Sequence, residues 1–407
     1  MPTLFQINVC ANSGSTGRIA EQIGELAISR GWESYIAYGR GVGESKSRTI
    51  KVGTTLGVLF HALLTRLTDR HGLFSVAATR RLVRRIRQIK PDIIHLHNIH
   101  GYYINYKILF DYLRQADIPV VWTLHDCWSM TGHCTHFEMA KCDRWKSGCH
   151  DCPEKCAYPR SILLDSSRIN YAEKRDAFTS VENLTLVPVS NWLNGIVKNS
   201  YLKNCDVEVI NNGVDLCFFS PIADNGIREQ YAIPAHKKIV LCVASTWSSR
   251  KGFDDILRLN SILDKERYQI VMIGLSDKQL AALPAGIIGL SRTNSVEELA
   301  AWYSVAETFV NPTYEDTYPT TNLEAISCGT PVATYKTGGS PESVTSDTGR
   351  VVERGDLKAL AHAIAELCDR DRGEIRGRCR EYALANFDKR DCFEKYIKLY
   401  EKLTNNR

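Results

Sequence analysis

The chain has 407 residues, enough for two or three domains of roughly 150 residues each, which excludes a small fold held together by disulfides. Hydrophobic residues make up 44% and charged residues 24%, ordinary values for a globular protein, so a mainly disordered chain is excluded as well. The net charge of +5 is mildly basic and suits a phosphate-rich ligand, an anionic membrane face or a nucleic acid.

The first residues lead directly into strand-like alternation, with no basic segment, apolar segment or cleavage site of the kind that export signals have. The longest apolar run, residues 56–64, is interrupted by His61 and is too short to cross a bilayer. Eight of the 14 cysteines are scattered, as reduced thiols are in cytosolic proteins. We therefore expect a cytoplasmic protein, soluble or peripheral to a membrane.

Short apolar runs alternate with helical patterns along almost the whole chain, which predicts parallel sheets built from βαβ units. A turn at residues 12–17 separates the first strand from a helix that Gly31 can end in the left-handed conformation. A cluster of Gly, Asn and Pro at residues 210–221 precedes a second series of the same kind. The predicted strands are residues 4–9, 35–38, 92–96, 120–124 and 184–189, and then 239–244, 269–273, 308–310, 331–334 and 350–352.

This pattern predicts an α/β protein with two Rossmann-like, doubly wound domains. The first is residues 1–217, including a cysteine-rich loop at 127–156, and the second is residues 218–385. A C-terminal segment, 386–407, carries an amphipathic helix that we expect to pack back toward the first domain. Two such domains joined at a hinge face each other across a cleft at the carboxyl ends of both sheets, where open α/β sheets bind ligands.

The most informative stretch is residues 311–332, where a strand is followed by a loop and a helix. The loop carries Glu315 and Asp316, and the helix opens at Thr320 or Thr321. Free N–H groups of the loop and of the first helical turn are suited to hold a diphosphate. The stretch therefore predicts a phosphate-binding site.

Glu324 lies one turn into that helix, where its carboxylate can accept hydrogen bonds from both hydroxyls of a ribose. Asp316, eight residues earlier, can contact a sugar ring beyond the phosphates. In the structural alternative, Glu324 merely favours the positive end of the helix and Asp316 is a turn residue.

With these residues the sequence resembles the retaining GT-B glycosyltransferases of the large family 4, or group 1, type, whose Glu-x7-Glu signature lies on such a strand, loop and helix. The resemblance implies that Glu324 binds the nucleotide ribose. It also implies that Asp316, preceded by Glu315, contacts the transferred sugar, in a position where the family has Glu.

The resemblance extends to residues 244–253, where Arg250 and Lys251 match a basic pair that meets the donor diphosphate in the family. Two cations there stabilise the negative charge that develops on the leaving phosphate, so no catalytic metal is implied. The alternative for this pair is a solvated Arg-Lys dipeptide before a glycine turn.

The segment that contains Gly14, Thr16 and Gly17 matches the glycine-rich first loop of the family, which approaches the donor phosphates. Glycine permits that close approach of the backbone, and the following helix adds its positive end. The segment is not the Gly-x-Gly-x-x-Gly of a dinucleotide fold, which is evidence against a dehydrogenase.

His125 follows the strand at 120–124 and matches a family histidine beside the donor sugar and the acceptor. Because the leaving phosphate is thought to take the acceptor proton in such enzymes, we assign His125 to positioning and electrostatics. Three further histidines at the end of the strand 92–96 are interpreted as core or rim residues. They are His95, His97 and His100.

Six cysteines lie between residues 127 and 156, and four of them could close a tetrahedral zinc site that stabilises a long loop. These predicted ligands are Cys134, Cys142, Cys149 and Cys152. The loop resembles that of the colanic acid biosynthesis branch of the family. Free thiols and disulfides are the alternatives, and a cytosolic location disfavours disulfides.

Residues 79–90 predict a helix with an apolar stripe and five arginines. It is either a surface helix packed on the sheet with solvated arginines, or a site of attraction for anionic lipid headgroups. The preceding apolar stretch, residues 56–67, could add shallow insertion into a membrane.

Together these features predict a retaining glycosyltransferase of the hexosyltransferase type. It moves a sugar from a nucleotide donor of the UDP or GDP type to a lipid-linked glycan in the assembly of a surface polysaccharide, such as an exopolysaccharide, O-antigen or lipopolysaccharide. We expect it to be peripheral at the anionic inner face of the cytoplasmic membrane. The alternatives are a nucleotide-sugar epimerase or phosphorylase of the same fold and, more distantly, a zinc-containing nucleic-acid-binding protein.

Overall fold

The computed structural model describes residues 1–222 and 226–405. The chain divides into two compact units, a first unit of Met1–Asn211 with Phe393–Arg407 and a second unit of Asn212–Cys392. Residues 223–225 of the predicted second domain, and 406 and 407 of the predicted C-terminal segment, lie outside the described residues. Within the described part of the chain, no helix is both long and apolar enough to span a membrane.

The first unit is a parallel sheet with helices between its strands. Its strands are β1 (Thr3–Asn8), β2 (Glu33–Tyr38), β3 (Arg48–Lys51), β4 (Ile93–Leu96), β5 (Val120–Leu124), β6 (Leu184–Pro188) and β7 (Asp206–Val207). Its helices are α1 (Gly14–Ser29), α2 (Thr55–Thr68), α3 (Val76–Ile89), α4 (Tyr106–Gln115), α5 (Ser167–Phe178) and α6 (Asn191–Lys198). Among the described residues the seven strands have the order β3-β2-β1-β4-β5-β6-β7.

The second unit repeats this architecture. Its strands are β8 (Lys238–Val243), β9 (Tyr268–Ile273), β10 (Ile287–Leu290), β11 (Thr308–Asn311), β12 (Val332–Tyr335) and β13 (Gly349–Val352). Its helices are α7 (Ile227–Gln230), α8 (Phe253–Leu259), α9 (Asp277–Ala281), α10 (Val296–Val305), α11 (Thr320–Ser327), α12 (Leu357–Asp369) and α13 (Arg372–Asn386). The strand order is β10-β9-β8-β11-β12-β13, again entirely parallel, within the residues described.

Every predicted strand is present within one or two residues, because the central strands are buried on both faces and are therefore continuous apolar runs. The strands that the pattern missed are β3, β7 and β10, and all three are edge strands. Edge strands carry weaker apolar signals, as the exposed residues of β3 show. The predicted turn at 12–17 is wrong in its second half, since α1 begins at Gly14.

Each sheet has a switch point at which the strand order reverses, between β1 and β4 in the first unit and between β8 and β11 in the second. The carboxyl ends of the strands at a switch point splay their loops apart and leave a crevice for ligands. The predicted segments 12–17 and 244–253 follow β1 and β8, and the loop with Glu315 and Asp316 follows β11. The fold therefore places these predicted segments at its switch points.

The C-terminal helix α14 (Lys389–Asn405) packs on the first sheet through its residues from Phe393 onward. Tyr400 is buried and its hydroxyl lies 2.6 Å from Nδ1 of His95 on β4. The Tyr396 hydroxyl lies 2.9 Å from Oγ1 of Thr123 on β5. These buried polar contacts determine where the helix docks.

Candidate active site

The predicted cationic pair meets the loop after β11 at the switch point of the second unit. The Lys251 ammonium lies 2.5 Å from Oδ2 of Asp316, and both side chains are mostly buried. Arg250 donates from Nη1 to the carbonyl oxygen of Glu315 at 2.8 Å. Its own carbonyl oxygen accepts from the N–H of Tyr314 at 2.8 Å. The structure therefore brings Arg250, Lys251, Glu315 and Asp316 together.

Two glycines allow the loops of this site to lie against one another. Gly252 has a φ of 76°, and a Cβ at this position would overlap the carbonyl oxygen of Pro312. Gly338 has a φ of 52°, and a Cβ there would overlap the carbonyl oxygen of Asp316. Both positions combine a left-handed backbone with close approach, which only glycine tolerates. The loops after β8, β11 and β12 consequently form one packed cradle.

Helix α11 begins directly after this loop, at Thr320 and Thr321. Its N-cap residue is Pro319, and no side chain among the described residues caps its N-terminus. The helix is held by Asn322, whose buried amide accepts from Nδ2 of Asn311 at 2.8 Å and donates to Oγ of Ser340 at 3.0 Å. The positive helix end is therefore rigid.

Glu324 lies one turn further along α11, as predicted from its spacing. Its Oε2 accepts a hydrogen bond from the hydroxyl of Tyr303 at 2.9 Å. Burial, followed by the nearby Glu324 carboxylate, raises the pKa of Tyr303 well above its usual value, so the phenol stays a donor. Tyr303 thus fixes the carboxylate of Glu324, whose side chain is half-buried.

A cavity of about 640 Å³ opens at the carboxyl ends of β8, β9 and β10. Ser245, Gly274 and Ser291, each within two residues of the end of one of these strands, contribute to its lining. The volume lies in the range of pockets that bind small organic ligands. Ser245 lies in the predicted segment 244–253, whereas sequence reasoning did not single out Gly274 and Ser291, because they belong to no motif with fixed spacing.

In the first unit, the glycine-rich segment forms the first turn of α1. Gly14 has a φ of 65°, and there is open space where its Cβ would lie. Thr16 accepts a hydrogen bond at Oγ1 from Nδ2 of Asn8 at 3.4 Å. At Gly17, a Cβ would meet Cβ of Cys10 at 3.2 Å, so the helix packs tightly on the loop after β1.

His125, at the end of β5, belongs to a buried chain of hydrogen bonds whose proton positions follow from one backbone carbonyl. Gln6 donates from Nε2 to the carbonyl oxygen of Ala20 at 2.8 Å, which fixes its amide so that Oε1 is the acceptor for Nε2 of His97 at 3.0 Å. Nε2 of His97 must then carry its proton, so Nδ1 accepts from Nε2 of His125 at 3.1 Å. His125 is left with Nδ1 as its acceptor atom.

The imidazoles of His97 and His125 are both neutral at physiological pH. Burial lowers the pKa of His125 to about 4, with a smaller opposing effect of Asp126. Burial and the neighbouring His95 and His125 lower the pKa of His97 well below its usual value. His125 therefore contributes no positive charge to this part of the molecule.

The other two histidines of the strand end are buried and partnered. His95 lies 2.8 Å from Oγ1 of Thr123 through Nε2. His100 lies 2.8 Å from Oδ2 of Asp126 through Nε2 and 3.1 Å from the hydroxyl of Tyr158 through Nδ1. Burial opposes ionisation of Asp126, yet the favourable contact with His100 outweighs it and lowers the pKa of the carboxyl to about 2.

The cysteine-rich loop has a core of its own. Trp128 and Trp145 are buried, and Trp145 stacks on Phe137 with ring centroids 5.0 Å apart. Lys174 of α5, also buried, donates from Nζ to the carbonyl oxygens of Trp128 at 2.9 Å and Thr131 at 3.1 Å. The loop is therefore anchored by packing and by a buried lysine.

The four predicted zinc ligands line one small cavity inside this loop. Cys134 is hydrogen-bonded to Cys152, and Cys149 accepts at Sγ from the N–H of Gly132 at 3.2 Å. Among the described residues, however, no group of three or more His, Cys, Asp or Glu side chains is arranged to hold a metal ion. None of the 14 cysteines, all of which lie in the described part of the chain, forms a disulfide. The structure shows a thiol cluster here, and the zinc site stays a prediction.

Sequence reasoning missed Gln6 and Tyr303, which orient His97 and Glu324. Gln6 left a detectable signal, because it is a polar residue within the apolar run of β1 and is completely buried. Tyr303 left none, since an aromatic residue on an apolar helix is ordinarily part of the core.

Comparison with known proteins identifies the family. The profile described as Glycosyltransferase Family 4 matches residues 16–218, and that described as Glycosyl transferases group 1 matches residues 237–370. The chain is 23% identical over 418 residues to the colanic acid biosynthesis glycosyl transferase WcaC of Escherichia coli (strain K12), a match that covers 98% of this chain and 100% of that protein.

Two solved structures show the same fold. Sucrose-phosphate synthase from Thermosynechococcus elongatus superposes with a TM-score of 0.74 at 19% identity and covers 100% of both chains. HepE of Anabaena, in complex with UDP-glucose, superposes with a TM-score of 0.67 at 14% identity and covers 98% of this chain and 99% of that one. The chain therefore belongs to the group 1, family 4 glycosyltransferases, and its two Rossmann-like units have the GT-B fold.

Proposed function

We propose that this glycosyltransferase moves a hexose from a nucleoside diphosphate sugar to a lipid-linked glycan, with retention of configuration, in the assembly of a surface polysaccharide. The second unit binds the donor nucleotide and the first unit binds the acceptor. The observation that carries the proposal is the pairing of Arg250 and Lys251 with the Glu315 carbonyl and Asp316, directly before the uncapped start of α11 in the described chain.

This cradle suits a diphosphate that gains negative charge as it leaves. Arg250 and Lys251 stabilise the β-phosphate oxygens, and the N–H groups of Thr320 and Thr321 add the positive end of the helix. Because these cations are already held in place by the protein, the transition state requires little reorganisation. No catalytic metal is part of this proposal.

The remaining donor contacts follow from the positions of the side chains. Glu324, fixed by Tyr303, binds the ribose hydroxyls, and the cavity at the ends of β8, β9 and β10 accepts the base. Asp316 contacts the transferred sugar when the donor displaces part of its ion pair with Lys251. The UDP-glucose complex of HepE supports a donor of the UDP type, and a donor of the GDP type is the alternative.

In the proposed reaction, the bond from the anomeric carbon to the β-phosphate oxygen breaks, and the acceptor oxygen bonds to that carbon on the same face. The acceptor proton passes to the departing phosphate oxygen, so no side chain needs to act as base. Within the first unit, we assign His125 to positioning and electrostatics, and Gly14, Thr16 and Gly17 to phosphate binding. The similarity to WcaC over the whole chain supports an acceptor from surface polysaccharide assembly.

A thermal-shift panel of UDP, GDP and ADP, each beside its monophosphate, tests donor binding, because a ligand bound only by the native state raises Tm. We expect UDP or GDP to raise Tm more than the matching monophosphate does. Equal shifts for the monophosphate and the diphosphate would contradict the proposed cradle.

Release of the free nucleoside diphosphate separates transfer from epimerisation. A transferase releases it at a substantial rate only when an acceptor is present, whereas an epimerase converts the donor sugar without an acceptor. Phosphorolysis instead requires inorganic phosphate. Donor conversion without acceptor or phosphate would favour the epimerase alternative.

For the cysteine-rich loop, we retain structural zinc as a proposal, supported by four thiols around one cavity. Metal analysis of protein purified without added zinc tests it. We expect close to one equivalent, and fewer than about 0.3 equivalents would contradict the proposal.

A further inference from the structure

Helix α2 exposes an apolar face, while its two fully buried side chains are polar. Its exposed residues recur at helical spacing on one face, and they are Leu56 (78% exposed), Leu59 (61%), Phe60 (61%), Leu63 (51%) and Leu67 (38%). The buried residues of the same helix are His61 and Thr65. An ordinary surface helix shows the opposite arrangement.

Hydrogen bonds fix this orientation. Nε2 of His61 accepts from the N–H of Gly72 at 3.2 Å, so Nδ1 is the protonated atom that donates to Oγ of Ser75 at 2.7 Å. Thr65 donates from Oγ1 to the carbonyl oxygen of His61 at 2.9 Å. The Thr65 bond lies within α2, but turning the leucines inward would break both bonds of the His61 ring, so these buried contacts hold the apolar face outward.

A second apolar segment lies at the C-terminal end of α2. Residues 162–164 are Ile162, Leu163 and Leu164, exposed by 55%, 63% and 55%. The N–H of Ile162 donates to the carbonyl oxygen of Arg66 on α2 at 2.7 Å. We call the exposed apolar face of α2 and residues 162–164 together the docking surface. Exposed apolar residues that cluster in this way are typical of an interaction surface.

The surroundings of the docking surface are strongly basic. Residues 51–90 contain nine Lys and Arg residues and one acidic residue, Asp69, a net charge of +8 against +5 for the whole chain. Asp69 is buried and bonded to His133, so it offers little opposing charge at the surface. Helix α3 lies beside α2, because Arg81 and Phe60 line the same cavity, and all five arginines of α3 are exposed.

We propose that the docking surface inserts shallowly into an anionic lipid bilayer, with the arginines of α3 on the headgroups. This inference rests on the proposed function, since a lipid-linked acceptor is presented at such a surface. The 14 residues of α2 extend about 21 Å, which suits a helix lying in the plane of the interface. A second copy of the chain would bring like charges together, and a nucleic acid would leave the leucines exposed to water.

Flotation of the full chain with vesicles tests the proposal. We expect binding to vesicles of phosphatidylcholine with phosphatidylglycerol, weaker binding at high salt, and little binding to phosphatidylcholine alone. The double variant Leu59→Glu with Leu63→Glu changes two exposed positions and should lower vesicle binding tenfold or more. The matched control is Ile262→Glu with Leu384→Glu, at positions exposed by 47% and 54% in the second unit.

Three outcomes would overturn the proposal. In the first, the wild type does not float with vesicles at low salt. In the second, the α2 variant and its control lose vesicle binding equally. In the third, the wild type forms a dimer and does not float, and the α2 substitutions abolish the dimer. A second variant, Arg84→Gln with Arg85→Gln, should lower binding by about an order of magnitude and reduce its salt dependence. An unchanged salt dependence would also contradict the electrostatic part of the proposal.

Nucleotide binding separates this inference from the proposed function. Both docking variants should retain the Tm shift given by the diphosphate, because their substitutions lie outside the second unit. They should retain transfer to a short water-soluble acceptor and lose transfer to an acceptor embedded in vesicles. Vesicle binding without any nucleotide response would support the docking surface while contradicting the proposed function.

Discussion

The two units share one topology and differ in what surrounds their switch points. In the second unit, charged side chains meet there, with Lys251 on Asp316 and Arg250 on the loop after β11. In the first unit, the corresponding strands carry neutral, buried imidazoles joined to Gln6. The same strand order therefore positions charged side chains in one unit, where we propose that the anionic leaving group binds, and neutral hydrogen-bonding side chains in the other. Topology determines where the ligand binds, and the loop residues determine its chemistry.

Removing the positive charge of Lys251 at the switch point of the second unit should have the largest effect on activity. Lys251→Ala should lower kcat by about 10²–10³-fold, since a preorganised group that stabilises developing charge is lost. The control, Lys358→Ala, removes an exposed lysine of α12, outside the loops of the cradle, and should leave kcat nearly unchanged. Wild-type turnover of Lys251→Ala would show that the leaving group binds elsewhere.

Acid should destabilise the first unit more than the second. Burial lowers the pKa of His61 in the first unit to about 4, whereas His236 and His362 of the second unit are exposed. A depressed folded-state pKa means that the unfolded chain binds the proton first, so this stability is present above pH 6.5 and is lost as the pH falls toward 4. We expect a loss of roughly 3 kcal/mol from His61 alone.

Hydrogen exchange at pH 7 and pH 5, corrected for intrinsic rates, measures this difference between the units. The first unit should lose protection at pH 5 before the second does. A double variant of His236→Gln with His362→Gln should leave the pH dependence unchanged. Earlier opening of the second unit in acid would contradict the assignment of acid sensitivity to the buried imidazoles.

A conservative change at Glu324 tests the ribose contact. Glu324→Gln keeps an acceptor for the Tyr303 hydroxyl but removes the charge, so nucleotide binding should weaken about 10- to 100-fold. Calorimetry with the nucleoside diphosphate measures the loss, and Glu381→Gln, an exposed position on α13, is the control. Inorganic pyrophosphate lacks the ribose and should bind both variants equally. An equal loss for pyrophosphate would place the carboxylate at the phosphates instead.

The smallest expected effect is a spectroscopic one, and it concerns the neutral histidines at the switch point of the first unit. Nitrogen-15 NMR of histidine-labelled protein at pH 7 should show His125 as the neutral tautomer protonated at Nε2, because Gln6 orients His97. The variant His125→Gln assigns the signal by its disappearance. A proton on Nδ1, or a charged ring, would contradict the hydrogen-bond chain that starts at the Ala20 carbonyl.

The comparison also shows how far sequence reasoning reached. The central strands were predictable because buried parallel strands are apolar runs, and the segments 244–253 and 311–332 were placed correctly after β8 and at the end of β11, while their role in donor binding stays a proposal. Edge strands such as β3 were missed, since their residues face solvent. The sequence marked residues 56–67 as an apolar stretch that could insert into a membrane, but it did not show that His61 and Thr65 are the buried residues of α2.

The amino-acid sequence by itself determined the α/β class, the two repeated halves and the residue types that can hold a departing diphosphate. Only the tertiary structure decided that Lys251 pairs with Asp316, that Tyr303 orients Glu324, and that Gln6 sets the protonated nitrogen of His97. Local patterns reflect periodicity and spacing along the chain. These contacts join residues that are 21 to 91 positions apart, and they exist only once the sheets and helices have packed.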